Sequence, residues 1–199
     1  MKKCLVLAIL LLCSSQGLLA QPQAEPASPN EFRRYEIFYA PLAYARQAQN
    51  NFSGIELEFA AQVHPRLALV ADLTGHFQQS KYKFASVTQT QTDDVELWAY
   101  RFGPRWTLHR TDRYTIFAEA LAGGSSLISR STIADGDSRY ASWTQTNGFG
   151  LAAGGGMDVA WKRWFAFRVL HIDYSYIGLD GLHQGIQIGA GVNFRFGKR

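Results

Sequence analysis

From Tyr35 onward the chain changes chemical character at every second residue, over segments of about ten. In 54–63, Ile55, Leu57, Phe59, Ala61 and Val63 fall on one parity and Glu56, Glu58, Ala60 and Gln62 on the other. In 67–77, Leu67, Leu69, Ala71, Leu73 and Phe77 oppose Ala68, Val70, Asp72, Thr74 and His76. In the last segment Ile186, Ile188, Ala190, Val192, Phe194 and Phe196 oppose Gln187, Gly189, Gly191, Asn193 and Arg195. A period of two belongs to a β-strand with two different faces, and helical periodicity is scarce. Looser alternation in 98–108, 114–124, 148–160 and 164–176, with a poorly alternating start at 35–44, brings the expected strands to eight.

The connections alternate as well. Segments 64–66, 109–113 and 161–163 are tight turns, whereas 45–51, 79–94, 130–147 and 177–184 are longer and rich in Ser, Thr, Gln, Asn and Asp. The expected fold is therefore all-β: an eight-stranded antiparallel up-and-down transmembrane β-barrel with short periplasmic turns and long extracellular loops. A soluble barrel alternates too, with its apolar face inward. Lysine placement separates the two. Beyond residue 20 the lysines are Lys81, Lys83, Lys162 and Lys198, all in expected loops, turns or the tail. A soluble barrel carries lysine on its outer face, whereas a lipid-facing band excludes it. Trp106, Trp161 and Trp164, with Phe194 and Phe196, cluster at the short-turn ends. Trp98 and Trp143, with Tyr140, Tyr174 and Tyr176, cluster at the long-loop ends, so the two groups suit the aromatic belts of a bilayer.

With the apolar face outward, the polar face lines a lumen. Glu56, Glu58, Asp72, Arg101, Arg105, Glu119, Asp158, Arg168 and Arg195 fall there, as do Gln187 and Asn193. An eight-stranded barrel has room inside only for side chains, and opposite charges packed there must pair. A plugged interior is expected, not an open pore. Arg168 and Asp173 are five apart and would face opposite ways on a regular strand; a bulge between them, or a place for Asp173 near the loop end, would resolve this.

The first residues have a separate purpose. Met1-Lys2-Lys3, the apolar run from Cys4 to Cys13 and the ending Gly17-Leu18-Leu19-Ala20 form the pattern of a secretory signal peptide over 1–20, too short to span a bilayer. Residues 21–34, with three of the six prolines, read as a disordered periplasmic lead-in, and 35–199 as the barrel. Both cysteines lie in the leader. Its removal takes Lys2 and Lys3 with it and reduces the net charge from +4 to +2, which is no footprint for nucleic acid.

No constellation of a catalyst or cofactor site is legible. The five histidines show no metal-ligand spacing. Asp72 and His76, with Ser80 nearby, sketch a lipid-modifying hydrolase, but four residues along a strand separate the first two by about 13 Å, too far for a relay. Gly154-Gly155-Gly156 lacks the Lys-Ser/Thr of a phosphate loop, and Asp93-Asp94 and Asp135-Gly136-Asp137 read as solvated acids. No enzyme, cofactor or metal is expected.

The leader, the eight segments and the ending Gly189-Ala190-Gly191-Val192-Asn193-Phe194-Arg195-Phe196-Gly197 resemble the outer-membrane β-barrel domains related to outer-membrane protein A and the opacity proteins. The resemblance covers about 35–196. It implies an outer-membrane location in a Gram-negative-type bacterium, surrounding lipid and lipopolysaccharide, and an assembly signal at Val192, Phe194 and Phe196 read by the outer-membrane assembly machinery after escort by periplasmic chaperones. Gly197-Lys198-Arg199 continue past Phe196, where many such proteins stop. The expected role is structural or surface-interactive, with an unspecified surface ligand. A small-solute porin, a lipid-A-directed hydrolase and a soluble binding barrel are the alternatives.

Overall fold

The computed structural model describes residues 34–47, 50–83, 89–135, 138–179 and 181–197. The expected leader, the lead-in up to 33 and Lys198 lie outside them, as do Gly136 and Asp137 of the acidic run 135–137.

Eight strands follow in order: β1 Tyr35–Gln47, β2 Asn50–His64, β3 Leu67–Lys83, β4 Gln89–Arg110, β5 Tyr114–Asp135, β6 Ser138–Lys162, β7 Phe165–Leu179 and β8 Gly181–Phe196. Each pairs antiparallel with its neighbours in sequence, and β1 pairs with β8 to close the ring. Closure leaves no free sheet edge, a requirement for strands in lipid. Tyr35, Ala61 and Phe196 meet at the short-turn end, so the barrel begins and ends on the same rim.

The alternation translates directly into burial. Ile55, Leu57, Phe59, Leu69, Leu73, Phe77, Ile172, Ile186 and Ile188 are exposed, while Glu56, Glu58, Asp72, Arg101, Arg105, Glu119, Asp158 and Arg168 are buried. This is the inverse of a soluble barrel. The apolar exterior is bounded above where Phe77 gives way to Gln79 on β3, Trp98 to Glu96 on β4 and Phe149 to Asn147 on β6. These positions are near one another across the ladders, since Phe77 pairs with Glu96 and Trp98 with Ser126.

The wall is taller on one side than the alternation predicts. β1, β2, β7 and β8 have 13–16 residues, but β4 and β5 have 22 each and β6 has 25. Residues 79–83, 89–94, 130–135 and 138–147, expected as loop, are paired strand. Above the lipid band both faces of a strand meet water, so the period-two signal disappears while the Ser, Thr, Gln and Tyr content still suits pairing. Lys81 and Lys83 accordingly lie on β3, above the apolar band, and Lys162 ends β6; none stands on the lipid-facing section.

Two bulges correct the irregular strands. On β7 the register shifts between Arg168 and His171, where Val169 and Leu170 both face outward. On β1 the shift lies between Ala40 and Ala43, with Leu42 80% exposed. A bulge adds one residue and reverses parity beyond it, so Arg168 and Asp173 both face the lumen.

Of the aromatic residues, Trp164 stacks on Phe194 (6.3 Å, 16°) and Trp161 meets Phe167 edge-on (6.2 Å, 81°) at the short-turn end, and Trp106, exposed, pairs with Leu67 beside the first short turn. Trp98 covers bare Gly75, where a Cβ would come within 2.7 Å of its ring, and meets Phe77 edge-on (5.6 Å, 84°). Trp143 differs. It pairs with Arg130, four residues beyond the Trp98–Ser126 level, and is 70% exposed on the tall hairpin of β5 and β6. Phe194 and Phe196 face outward on β8, with Phe196 against Tyr35 (5.7 Å), and Val192 is half-buried on the same face.

Candidate functional site

The charges that strand parity turns inward meet in the lumen in a chain of ion pairs along the barrel. Arg101 on β4 donates from Nε and Nη2 to Asp72 Oδ2 on β3 (2.8 and 2.7 Å), and Nη2 also reaches Gln187 Oε1 on β8 (2.9 Å). Arg105 donates from Nε to Glu119 Oε2 (2.6 Å) and from Nη2 to Glu58 Oε2 (2.6 Å), joining β4, β5 and β2. Arg168 on β7 donates to Asp158 Oδ1 (2.8 Å) and to Glu58 Oε2, so Glu58 serves two guanidinium groups. Arg195 completes the short-turn side by donating to Asp158 Oδ2 (2.8 Å), which Asn193 also contacts (2.8 Å).

Aromatic faces support these cations. The guanidinium of Arg168 lies 4.0 Å from the Phe38 ring centre and 4.5 Å from that of Phe117, and Arg105 lies 4.2 Å from Phe117. Cations stacked on rings and hydrogen-bonded in plane use the guanidinium on both its faces and edges. The side chain of Arg168 is fully enclosed. At this depth an ion lacking its partner would be costly, so the pairing is a condition of the fold.

The nine charged residues expected in the lumen all face it, and eight of them share arginine–carboxylate bridges. Glu56 does not. Its Oε1 lies 2.7 Å from Nδ1 of His171, a residue to which alternation assigned no role. His171 is central: Nε2 lies 2.9 Å from Glu119 Oε1 and 3.4 Å from Asp173 Oδ2, and Nδ1 lies 3.7 Å from Glu58 Oε1. Regular parity from Arg168 points His171 to lipid. The usable signal was the adjacent bulky pair Val169-Leu170 between inward-facing polar residues, which marks the bulge. Glu36 was missed as well; it reaches Arg195 (3.4 Å) and Asn193 (3.1 Å).

Glycines make room for this convergence. Gly154 lies in the ladder between Glu119 and Asp173, and a Cβ there would stand 2.2 Å from Asp173 Oδ1. Gly189 lies beside His171, and a Cβ there would stand 2.6 Å from Glu56 Oε2. Toward the tall end the polar lining becomes neutral, with Thr74, His76 and Ser125 buried, and then apolar, where Leu97, Ile177 and Leu179 pack together. His76 Nδ1 and Ser125 Oγ have no hydrogen-bond partner, and Ser80 stands four residues further along β3 from His76, so these residues form no relay.

The ring of eight transmembrane strands defines the class: this is the fold of the eight-stranded outer-membrane β-barrels. Among solved structures, the chain is similar to Ail, the attachment invasion locus protein of Yersinia pestis, at 14% identity and a TM-score of 0.50 over 82% of this chain and 98% of that one. A second structure of Ail, in complex with the heparin analogue sucrose octasulfate, gives 13% and 0.52 over the same shares. Neisserial surface protein A gives 18% and 0.45 over 86% and 100%. No family model matches the chain, and no curated protein does.

Proposed function

We propose that this chain is a non-enzymatic, integral outer-membrane barrel whose interior is blocked by its own charge network and whose working surface is the tall rim built by β3 to β6. Residues 1–20 direct export, 21–34 form the periplasmic lead-in, and the Val192, Phe194 and Phe196 face of β8 serves the assembly machinery. The short turns then lie in the periplasm and the tall rim at the cell surface, among lipid and lipopolysaccharide.

The observation that carries this reading is the unequal height of the wall. A membrane-spanning strand needs about 9–11 residues; β6 has 25. The surplus places Tyr140 and Trp143, 68% and 70% exposed, well above the lipid-facing band. Charges of both signs accompany them, with Lys81, Lys83, Arg130 and Arg139 against Asp93, Asp94 and Glu96. Such a rim suits a partner recognised by aromatic and polar contact in place of net charge, as saccharides are. Lipid and lipopolysaccharide are the immediate partners in this reading.

The test uses cysteine labelling, since the two native cysteines lie in the segment assigned to the leader. Ser142→Cys on the tall hairpin should react with a membrane-impermeant maleimide on intact cells, and Asp112→Cys in a short turn should react only after permeabilisation. Recovery of the protein in the soluble periplasmic fraction, or the reverse labelling pattern, would refute the placement.

A further inference from the structure

We propose that the lumen holds a binding site for one divalent metal ion of the zinc class, with Glu56 Oε1, Glu58 Oε1 and His171 Nδ1 as its protein ligands. The starting point is a mismatch of charge. Among the described residues Glu56 and Asp173 are the buried acids without an arginine in ion-pair range; each has only His171. One imidazole therefore faces four carboxylates, those of Glu56, Glu58, Glu119 and Asp173.

An independent observation on the Glu58 side of the ring points to a ligand there. Glu58 Oε1 has no hydrogen-bond partner although its residue is 1% exposed, and it lies 3.7 Å from His171 Nδ1. Glu56 Oε1 lies 2.7 Å from the same nitrogen, and the three ligand atoms lie within 4.8 Å of one another. Ligands about 2.0–2.2 Å from a tetrahedral zinc stand roughly 3.3 Å apart, between the two N···O separations present. Three protein ligands leave the fourth position to water. One imidazole with two carboxylates suits zinc better than calcium or magnesium, which take six or more oxygens.

The surroundings are those of a supported ligand set. The opposite nitrogen of His171 donates to Glu119 Oε1 at 2.9 Å, which fixes the ring with Nδ1 turned toward Glu56 and Glu58. Glu58 Oε2 is held by Arg105 and Arg168, so Oε1 is turned toward the histidine. The bare Gly189 gives Glu56 its space. On binding, the ion displaces any proton from Nδ1 to solvent and ties β2 to β7 across the lumen, with β1 and β8 between them.

The experiment is a calorimetric titration with Zn2+ of the full barrel refolded in detergent micelles at pH 7.5, each sample's folding being checked by heat-modifiable gel migration. The expected result is one EDTA-reversible Zn2+ per folded chain, with affinity reduced at least tenfold by Glu56→Gln. Gly189→Ala serves as the second variant: its new methyl would crowd only the carboxylate end of Glu56, at 2.6 Å, and stands at an ordinary 3.7 Å from Ala40 Cβ, so the barrel folds while the ligand is displaced, and affinity again falls. Asp93→Asn, outside the lipid band, leaves binding unchanged. Absence of stoichiometric Zn2+ on the wild-type barrel overturns the proposal and leaves an imidazolium as the partner of Glu56. Binding that survives both variants in folded protein overturns it too.

Discussion

The two ends of the same β-sheet are held by different forces. In the lower section, level with the short strands β1, β2, β7 and β8, each strand pairs its neighbours, turns apolar residues to lipid and sends charges into a shared ionic lumen. In the upper section, β3 to β6 continue without the other four, on a backbone ladder and small polar contacts such as Gln79 to Asp94 (2.7 Å) and Gln145 to Ser126 (3.1 Å). Identical strand pairing thus stands on environments of opposite severity. A substitution should be costly in one and nearly free in the other.

The largest contrast is expected from Arg168→Met. It removes a fully enclosed cation from two carboxylates, Glu58 and Asp158, and an unpaired buried charge typically costs about 3–5 kcal/mol. Urea unfolding in detergent, followed by loss of the heat-modifiable band, should show this loss; a stability equal to wild type would mean that the network is incidental to the fold. Next is one substitution in two places. Leu73→Arg, on the lipid face at mid-strand, should cost about 2–4 kcal/mol of folding into bilayers, whereas Trp143→Arg on the tall hairpin should cost about 0–1 kcal/mol. Equal costs would erase the boundary drawn between Trp98 and Glu96.

The smallest effect concerns Asp93, on the upper part of β4. Hydrogen bonds from Gln91 and Ser131 hold its carboxyl below the usual carboxylate range. A depressed folded-state value contributes stability above the unfolded value and loses it as pH falls through the folded one. The protection of amides in the upper parts of β4 and β5, taken relative to the intrinsic exchange rate at each pH, should therefore fall under acid conditions in the wild type, and Asp93→Asn should remove most of that acid dependence without affecting the lower barrel.

Legibility in the sequence followed the same division. Where lipid and lumen oppose each other, alternation identified the strands and their faces, and it placed Glu58, Asp72, Arg105 and Asp158 inside. Above the band both faces meet water, so 130–135 and 138–147 read as loop although they are paired. Trp143 went with them to the wrong level. The other losses came from the bulges. The extra residue at Val169-Leu170 reverses parity for the rest of β7, which concealed His171 and left Asp173 unplaced. The one at Pro41-Leu42 did the same to the first strand. Val169-Leu170 is ordinary in composition, and only inward neighbours on both sides reveal the insertion, whereas Pro41, which cannot donate to the ladder, marks the other.

The central claim is that side chains from facing strands close the interior. Single-channel recording of the wild-type barrel in planar bilayers addresses it directly. A charge network joining Arg105, Glu58, Arg168 and Asp158 across the lumen predicts no steady openings. Long-lived openings of uniform, large conductance from correctly folded protein would contradict it and favour a solute channel.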